Sequence, residues 1–460
     1  MRLKTNLVVA LVFAGLLGYV YFYEIKGREE QREAAEKSMQ LLDFSPSDAQ
    51  KLIIDRGDTL IALESHDGDW VLQKPVQGAA DQGAVERYVR HLNESKRERI
   101  IGDSAAVAED ADLAARYQLQ NPRLKVLLET EDGPLDTLYF GADSPTDRYV
   151  YVQQSGNNPE IFSVRAWIYD NLNKSVFDLR NRRVLSFAAH EVGEIRLGYV
   201  GSQIVLYRGD GDTWEMKVPV EAATDEEEVD KLLKALGDAE IKTFVDEEPD
   251  EEVLALRGLA AAALEVSLLV GEDRAEKRLY IGEAENGSFY ARDPSRRPTF
   301  MIDSTLVQAL QKRTFDLRDK EPIKFDKDAI TSIELEGATQ RIVARKDTSG
   351  TWSILEPQGR EAKSWKLISL LGDLQAVEVK EFVGDGVEDL IPFGLEEPQL
   401  RLIVQAGDEE PLEVRLGREK GELIHMTRIG VPSVYLVEGK TLGKLNLKLD
   451  DVSRVPKSAD

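Results

Sequence analysis

Four histidines, His66, His91, His190 and His425, and 84 acidic side chains are the residues of this 460-residue chain that could carry acid–base or metal chemistry. None of the histidines is followed by a second one at helical zinc-site spacing, and "HE" at His190 lacks the later His of a zinc-protease helix. They read as ordinary turn or strand histidines. Among so many carboxylates a glycosidase-type pair could be nominated anywhere, so none is singled out. "GDGDTW", from Gly209 to Trp214, lacks the acidic ladder and closing Glu of a calcium loop and reads as a hairpin turn. "RGD" occurs at Arg56–Asp58 and Arg208–Asp210, in turns before apolar strands, where turn chemistry alone selects Gly-Asp; adhesion is the other reading. There is no Lys-bearing phosphate loop, no serine elbow and no dinucleotide fingerprint. The sequence assigns no catalytic, cofactor-binding or metal residues and no cofactor, and the expectation is a protein that is not an enzyme.

Composition narrows the partners. A hydrophobic fraction of 42% is enough for folded domains, and the length suggests about three of them. A net charge of −25 makes a nucleic-acid backbone an unfavourable partner. The acidic run "DEEPDEE", Asp246 to Glu252, reads as a solvated loop before it reads as a cation or partner site. With no cysteine there are no disulfides, thiolate ligands or lipidated Cys.

"LVVALVFAGLLGYVYFY", Leu7 to Tyr23, is uncharged, follows Arg2 and Lys4, and ends in aromatic residues suited to a membrane interface. As a helix it would reach about 25 Å, near the lower limit for spanning a hydrocarbon core. The competing reading is a cleaved signal peptide, but no clear small-x-small cleavage site follows, so the favoured reading is an uncleaved signal anchor crossing the membrane once with a cytoplasmic N-terminus. Residues 1–6 form the cytoplasmic tip, 24–40 a helical stalk, and the rest lies in the periplasm or another extracytoplasmic space.

The remainder repeats itself. Trp70, Trp214 and Trp352 are each followed at the fifth position by Pro75, Pro219 and Pro357, in a chain with only five Trp. Phe44, Phe187 and Phe325 open the copies, and Gly141, Gly282 and Gly417 end the phrases "LYFG", "LYIG" and "VRLG". "VFDLRNRRV" closes the first copy and "TFDLRDKEP" the second; "KLNLKLDDV" closes the third more weakly. Spacings of 144 and 138 residues between tryptophans give a domain-sized unit. The predicted units are 41–182, 183–320 and 321–455, with a tail at 456–460.

Within a unit, alternating residues between Gly/Asp turns predict a three-strand antiparallel meander ending at the Trp. The Trp is expected to cover one end of the core, and the Pro to end the strand so that a helix can start. That helix carries Val85, Tyr88, Val89 and Leu92 in the first copy, Val229, Leu232, Leu233 and Leu236 in the second, and Trp365, Ile368 and Leu371 in the third. Four further strands and a closing helix, Trp167 to Val176 in the first copy, complete it. The fold class is α+β: three tandem repeats, each a mainly antiparallel twisted sheet with two helices.

These landmarks, with the phrase "FGLEEP" at Phe393–Pro398 and its weaker forms "YQLQNP" at Tyr117–Pro122 and "LRGLAAA" at Leu256–Ala262, resemble the bacterial domain-of-unknown-function 4340 family. The resemblance implies a membrane-anchored, extracytoplasmic protein, often encoded beside ABC-type transport systems of the gliding-associated kind, and brings no catalytic residues. The expected function is a non-enzymatic binding or scaffold protein, an accessory component of such a system, held in the bacterial inner membrane by Leu7–Tyr23 and docking a protein partner. The alternative is an envelope polysaccharide- or peptidoglycan-acting enzyme with a site between units; it predicts one unit with polar residues that its siblings lack.

Overall fold

The computed structural model describes residues 39–454 except 111, 157–158, 210 and 358–359. The anchor at 7–23, the stalk up to residue 38 and the tail at 456–460 lie outside the described residues. Among the described residues no helix is long and apolar enough to cross a membrane. The chain divides into two compact units, one ending at Arg182 and the other beginning at Arg183. The first contains one sheet and the second contains two.

In chain order the first repeat forms β1 (Ala49–Asp55), β2 (Leu60–His66), β3 (Asp69–Lys74), β4 (Gly78–Ala79), β5 (Arg99–Gly102), β6 (Leu124–Thr130), β7 (Gly133–Pro134), β8 (Leu138–Asp143), β9 (Tyr149–Gln154) and β10 (Glu160–Arg165). The sheet runs β4-β3-β2-β1-β6-β8-β9-β10-β5, with β7 hairpinned onto β6. Every pairing is antiparallel. The other two sheets repeat the nine-strand order strand for strand, so the three-copy α+β architecture read from the Trp spacing is present, but a repeat holds more than the two helices expected: the first adds Ser104–Glu109 and Leu113–Arg116.

Alternation sets the faces. In β6, Leu124, Val126 and Leu128 are buried while the residues between them are half-buried, the pattern of a sheet with one face on a core. That face is covered by the helix Gln82–Glu94, whose buried residues are Val85, Tyr88, Val89 and Leu92. The helix Glu226–Asp238 does the same with Val229, Leu232, Leu233 and Leu236. Trp70, Trp214 and Trp352 are each buried in the core of their own repeat.

The Pro acts differently from the expectation. The peptide bonds Lys74–Pro75, Val218–Pro219 and Glu356–Pro357 are all cis. In each repeat the chain turns back there into a two-residue strand that pairs with the Trp strand before the helix begins. The helix start is set instead by a cap: Asp81 accepts from the Ala84 amide at 2.9 Å, and Asp225 from the Glu228 amide at 3.2 Å. The third helix has Lys363 at this place, and Lys363 makes no side-chain cap.

The predicted closing helix is two helices, Ala166–Leu172 and Val176–Leu179. Ser175 and Asp178 form a capping box that restarts the helix, with the Ser175 amide donating to the Asp178 carboxylate at 2.8 Å. Arg313 and Lys448 donate the same amide bond, at the same 2.8 Å, to Asp316 and Asp451. The true third counterpart of "FDL" is thus Leu449–Val452, and Lys440–Leu445 is the counterpart of Ala166–Leu172.

The repeated Gly and the middle phrase explain one another. Gln118, Gly258 and Gly394 all have positive φ, and the Leu119, Leu259 and Leu395 that follow are all buried. The carbonyls just before these turns, of Tyr117, Arg257 and Phe393, lie where a Cβ on Gly141, Gly282 or Gly417 would be. The second copy keeps this clamp without the Pro of the phrase, so the Pro is dispensable to it.

Candidate functional site

The polar residues nominated from sequence are placed mainly in turns and supports. Gly57 forms the β1–β2 turn at φ 84°, with its amide on the Asp55 carboxylate at 2.9 Å. Arg208 of the second "RGD" donates to the His190 carbonyl at 2.9 Å and pairs with Asp212 at 2.8 Å. Asp210 lies outside the described residues. "GDGDTW" is a tight turn closed by the Gly209 amide on the Thr213 carbonyl at 2.9 Å. His425 is buried on its strand, with Nδ1 2.6 Å from the Arg418 carbonyl and its ring against Phe393. His66 ends β2 and His190 lies in a short 3-10 turn, while His91 sits on the long helix rather than in a turn or strand. Within the acidic run, Asp246 pairs with Arg257, Asp250 caps the helix Glu251–Leu256, and Glu248 meets Arg297 at 2.6 Å. Among the described residues no group of three or more His, Asp and Glu is arranged to hold a metal.

Three places stand out chemically. One is the junction between the second and third repeats, which has almost no linker. Arg318 leaves the end of the helix Thr314–Leu317 and donates to both oxygens of Asp385, at 2.9 and 2.8 Å. Its guanidinium lies 3.6 Å from the Phe382 ring centroid, and Phe315 meets the same ring edge-on. Ser433 donates to Asp385 at 2.9 Å. Burial pushes the Asp385 carboxyl up, but the Arg318 and Ser433 hydrogen bonds outweigh it and hold the group below the ordinary aspartate value.

The second is the outward face of the helix Ser364–Gln375. The sequence places Trp365 and Ile368 in a core-facing stripe, and the structure corrects this. Leu367, Leu370, Leu371 and Leu374 are buried, whereas Trp365 is 67% and Ile368 51% exposed. Two apolar stripes overlap at Leu371 on this helix, and periodicity alone cannot choose between them. Counting from the repeat Trp decides, because it aligns Leu367 with Val85 and Val229. The outward positions then hold Glu86 and Arg90 in the first repeat, Asp230 and Lys234 in the second, but Ile368 and Gly372 in the third.

The third is the groove between the long helix and the closing pair. In the second repeat it is filled from within: the Glu228 carboxylate accepts from Lys312 at 2.7 Å and Lys231 at 3.0 Å. These cations hold Glu228 below the ordinary glutamate value. In the first repeat the positions of Glu228, Lys231 and Lys312 are Ala84, Arg87 and Lys174. Here an open groove of about 250 Å³ is lined by Ala84, Arg87, Tyr88, His91, Asn171, Lys174, Asp178 and Leu179. Tyr88 is 2% exposed, and its hydroxyl has no hydrogen-bond partner among the described residues. Sequence reasoning missed this groove by treating Tyr88 as one more core residue; the signal was Tyr88 opposite Leu232 and Leu370.

The sequence profile of the family described as domain of unknown function DUF4340 matches residues 70–255, 214–390 and 352–454. Each matched interval opens on one of the three repeat tryptophans, the residues that anchor each core. No curated protein matches the chain. With profile matches running from the first repeat Trp to the end of the third repeat, this chain belongs to the DUF4340 family of domains of unknown function.

Proposed function

We propose that this is a non-enzymatic, membrane-anchored, extracytoplasmic binding or scaffold protein, an accessory component of an ABC-type transport or gliding-related envelope system. The observation that carries the reading is the outward helix face of the third repeat. Trp365 is exposed where the siblings have Gly83 and Glu227, beside Ile368 where they have Glu86 and Asp230, and such an apolar pair on the surface suits a protein partner. Lys366 beside Trp365, its ammonium 6.0 Å from the ring centroid, favours a partner surface that is apolar at its centre and acidic at its rim. The uncharged run Leu7–Tyr23 supports the anchor, and the acidic charge of the chain argues against nucleic acid.

The test is co-purification from gently solubilised membranes. A transporter subunit is expected with the natural chain, and its recovery should fall about thirtyfold or more in W365D and I368D, the cost of removing a central aromatic anchor. A chain that returns alone removes the reading. The rival, an envelope polysaccharide- or peptidoglycan-acting enzyme, draws on the polar groove of the first repeat. Against it, the one carboxylate lining that groove among the described residues, Asp178, is engaged by the Ser175 amide and hydroxyl.

A further inference from the structure

The three repeats provide an internal comparison: the groove of the first repeat lacks the acid of the second, and it has Tyr88, His91 and Asn171 where the second has Leu232, Ala235 and Ala309. In the second repeat two cations converge on Glu228. In the first, the cations remain as Arg87 and Lys174 while the acid has become Ala84, and among the described residues neither cation has an ion pair. The Lys174 ammonium donates to the Asp170 carbonyl at 3.5 Å, too long for a strong bond, and its charge reaches Asp178 without a direct ion pair. Beside them the buried Tyr88 hydroxyl stands without a partner, an arrangement that costs free energy unless something accepts its proton. Burial pushes this hydroxyl's pKa well up, so it stays protonated and a donor. His91 and Asn171 add further polar capacity on the groove wall.

The geometry points to a carboxylate-binding site in the first repeat, in which a small carboxylate ligand takes the place that Glu228 occupies in the second. Arg87 and Lys174 supply charge, and Tyr88 supplies a buried hydroxyl donor. The groove has room for a group of a few heavy atoms and is smaller than a drug-sized pocket. Asp178, the one carboxylate lining the groove among the described residues, disfavours a phosphate head, which gathers up to two charges on one centre, more than a carboxylate head, which brings one. This site is independent of the third-repeat helix face, so the two proposals stand or fall separately.

Equilibrium dialysis of labelled glutarate against the full-length chain, at matched ionic strength, tests it, with inorganic phosphate as the second arm. Saturable glutarate binding is expected, weakened roughly tenfold or more in K174Q and in A84E, which returns the acid from within. Y88F, which keeps the ring, should weaken binding several-fold while leaving the fold intact, and serves if A84E fails to fold. W365D should bind glutarate as the natural chain does. Absence of saturable binding, unchanged binding in A84E, K174Q or Y88F, or phosphate binding tighter than glutarate would each overturn the assignment.

Discussion

Arg318 and Asp385 form a two-pronged ion pair across the junction of the second and third repeats, with bonds of 2.9 and 2.8 Å, and Arg318 is only 6% exposed. Removing one partner leaves the other poorly solvated. R318A is expected to destabilise the second compact unit by about 2–3 kcal/mol, and R318K to recover little, because an ammonium cannot reproduce the fork or the stacking on Phe382. Denaturant unfolding of R318A, D385A and the double variant measures the coupling; strictly additive effects would contradict it.

The same pair gives a pH dependence. The folded Asp385 carboxyl lies below the ordinary value of 3.8, so it contributes stability above that value. That contribution is lost as the pH falls through the lower folded value. In the natural chain the junction should therefore weaken below about pH 4, and in D385N the slope of stability against pH in that window should flatten. Unfolding midpoints at stepped acidic pH report it.

Glycines at two kinds of place should respond in opposite directions. A methyl at Gly141, Gly282 or Gly417 meets a backbone carbonyl, and each Ala substitution should cost about 1–3 kcal/mol or more. Gly372 lies within a helix with nothing near a built Cβ, so G372A should stabilise by roughly 0.5–1 kcal/mol. Thermal unfolding of the four variants decides it.

The tryptophans divide three to two. Trp70, Trp214 and Trp352 are buried, while Trp167 is 51% and Trp365 67% exposed. Acrylamide should quench two populations, and the accessible one should disappear in W167F/W365F. Persistence of that fraction would place a repeat Trp at the surface.

Much of this architecture was legible because a copied unit prints its landmarks three times, and Trp, Gly and the alternating strands each answer to a fixed steric demand. The two-residue strands after Pro75, Pro219 and Pro357 were not legible, since two residues carry no period. The third helix was misread because Trp365 and Ile368 share an apolar stripe with Leu371, and only alignment to Val85 and Val229 reveals the inward face. The groove of the first repeat was invisible for another reason. Its evidence is Ala84, a residue that says nothing until it is set beside Glu228.

The short helix that closes the third repeat carries Asp450 and Ser453 where the second carries Phe315 and Arg318. It therefore offers neither ring nor guanidinium to another Phe382-like acceptor. Ile100, which holds the place of Phe382 in the first repeat, is 52% exposed and so has an acceptor surface to spare. The contact that joins the second repeat to its successor therefore stops at the third, because the two side chains that make it are not copied there.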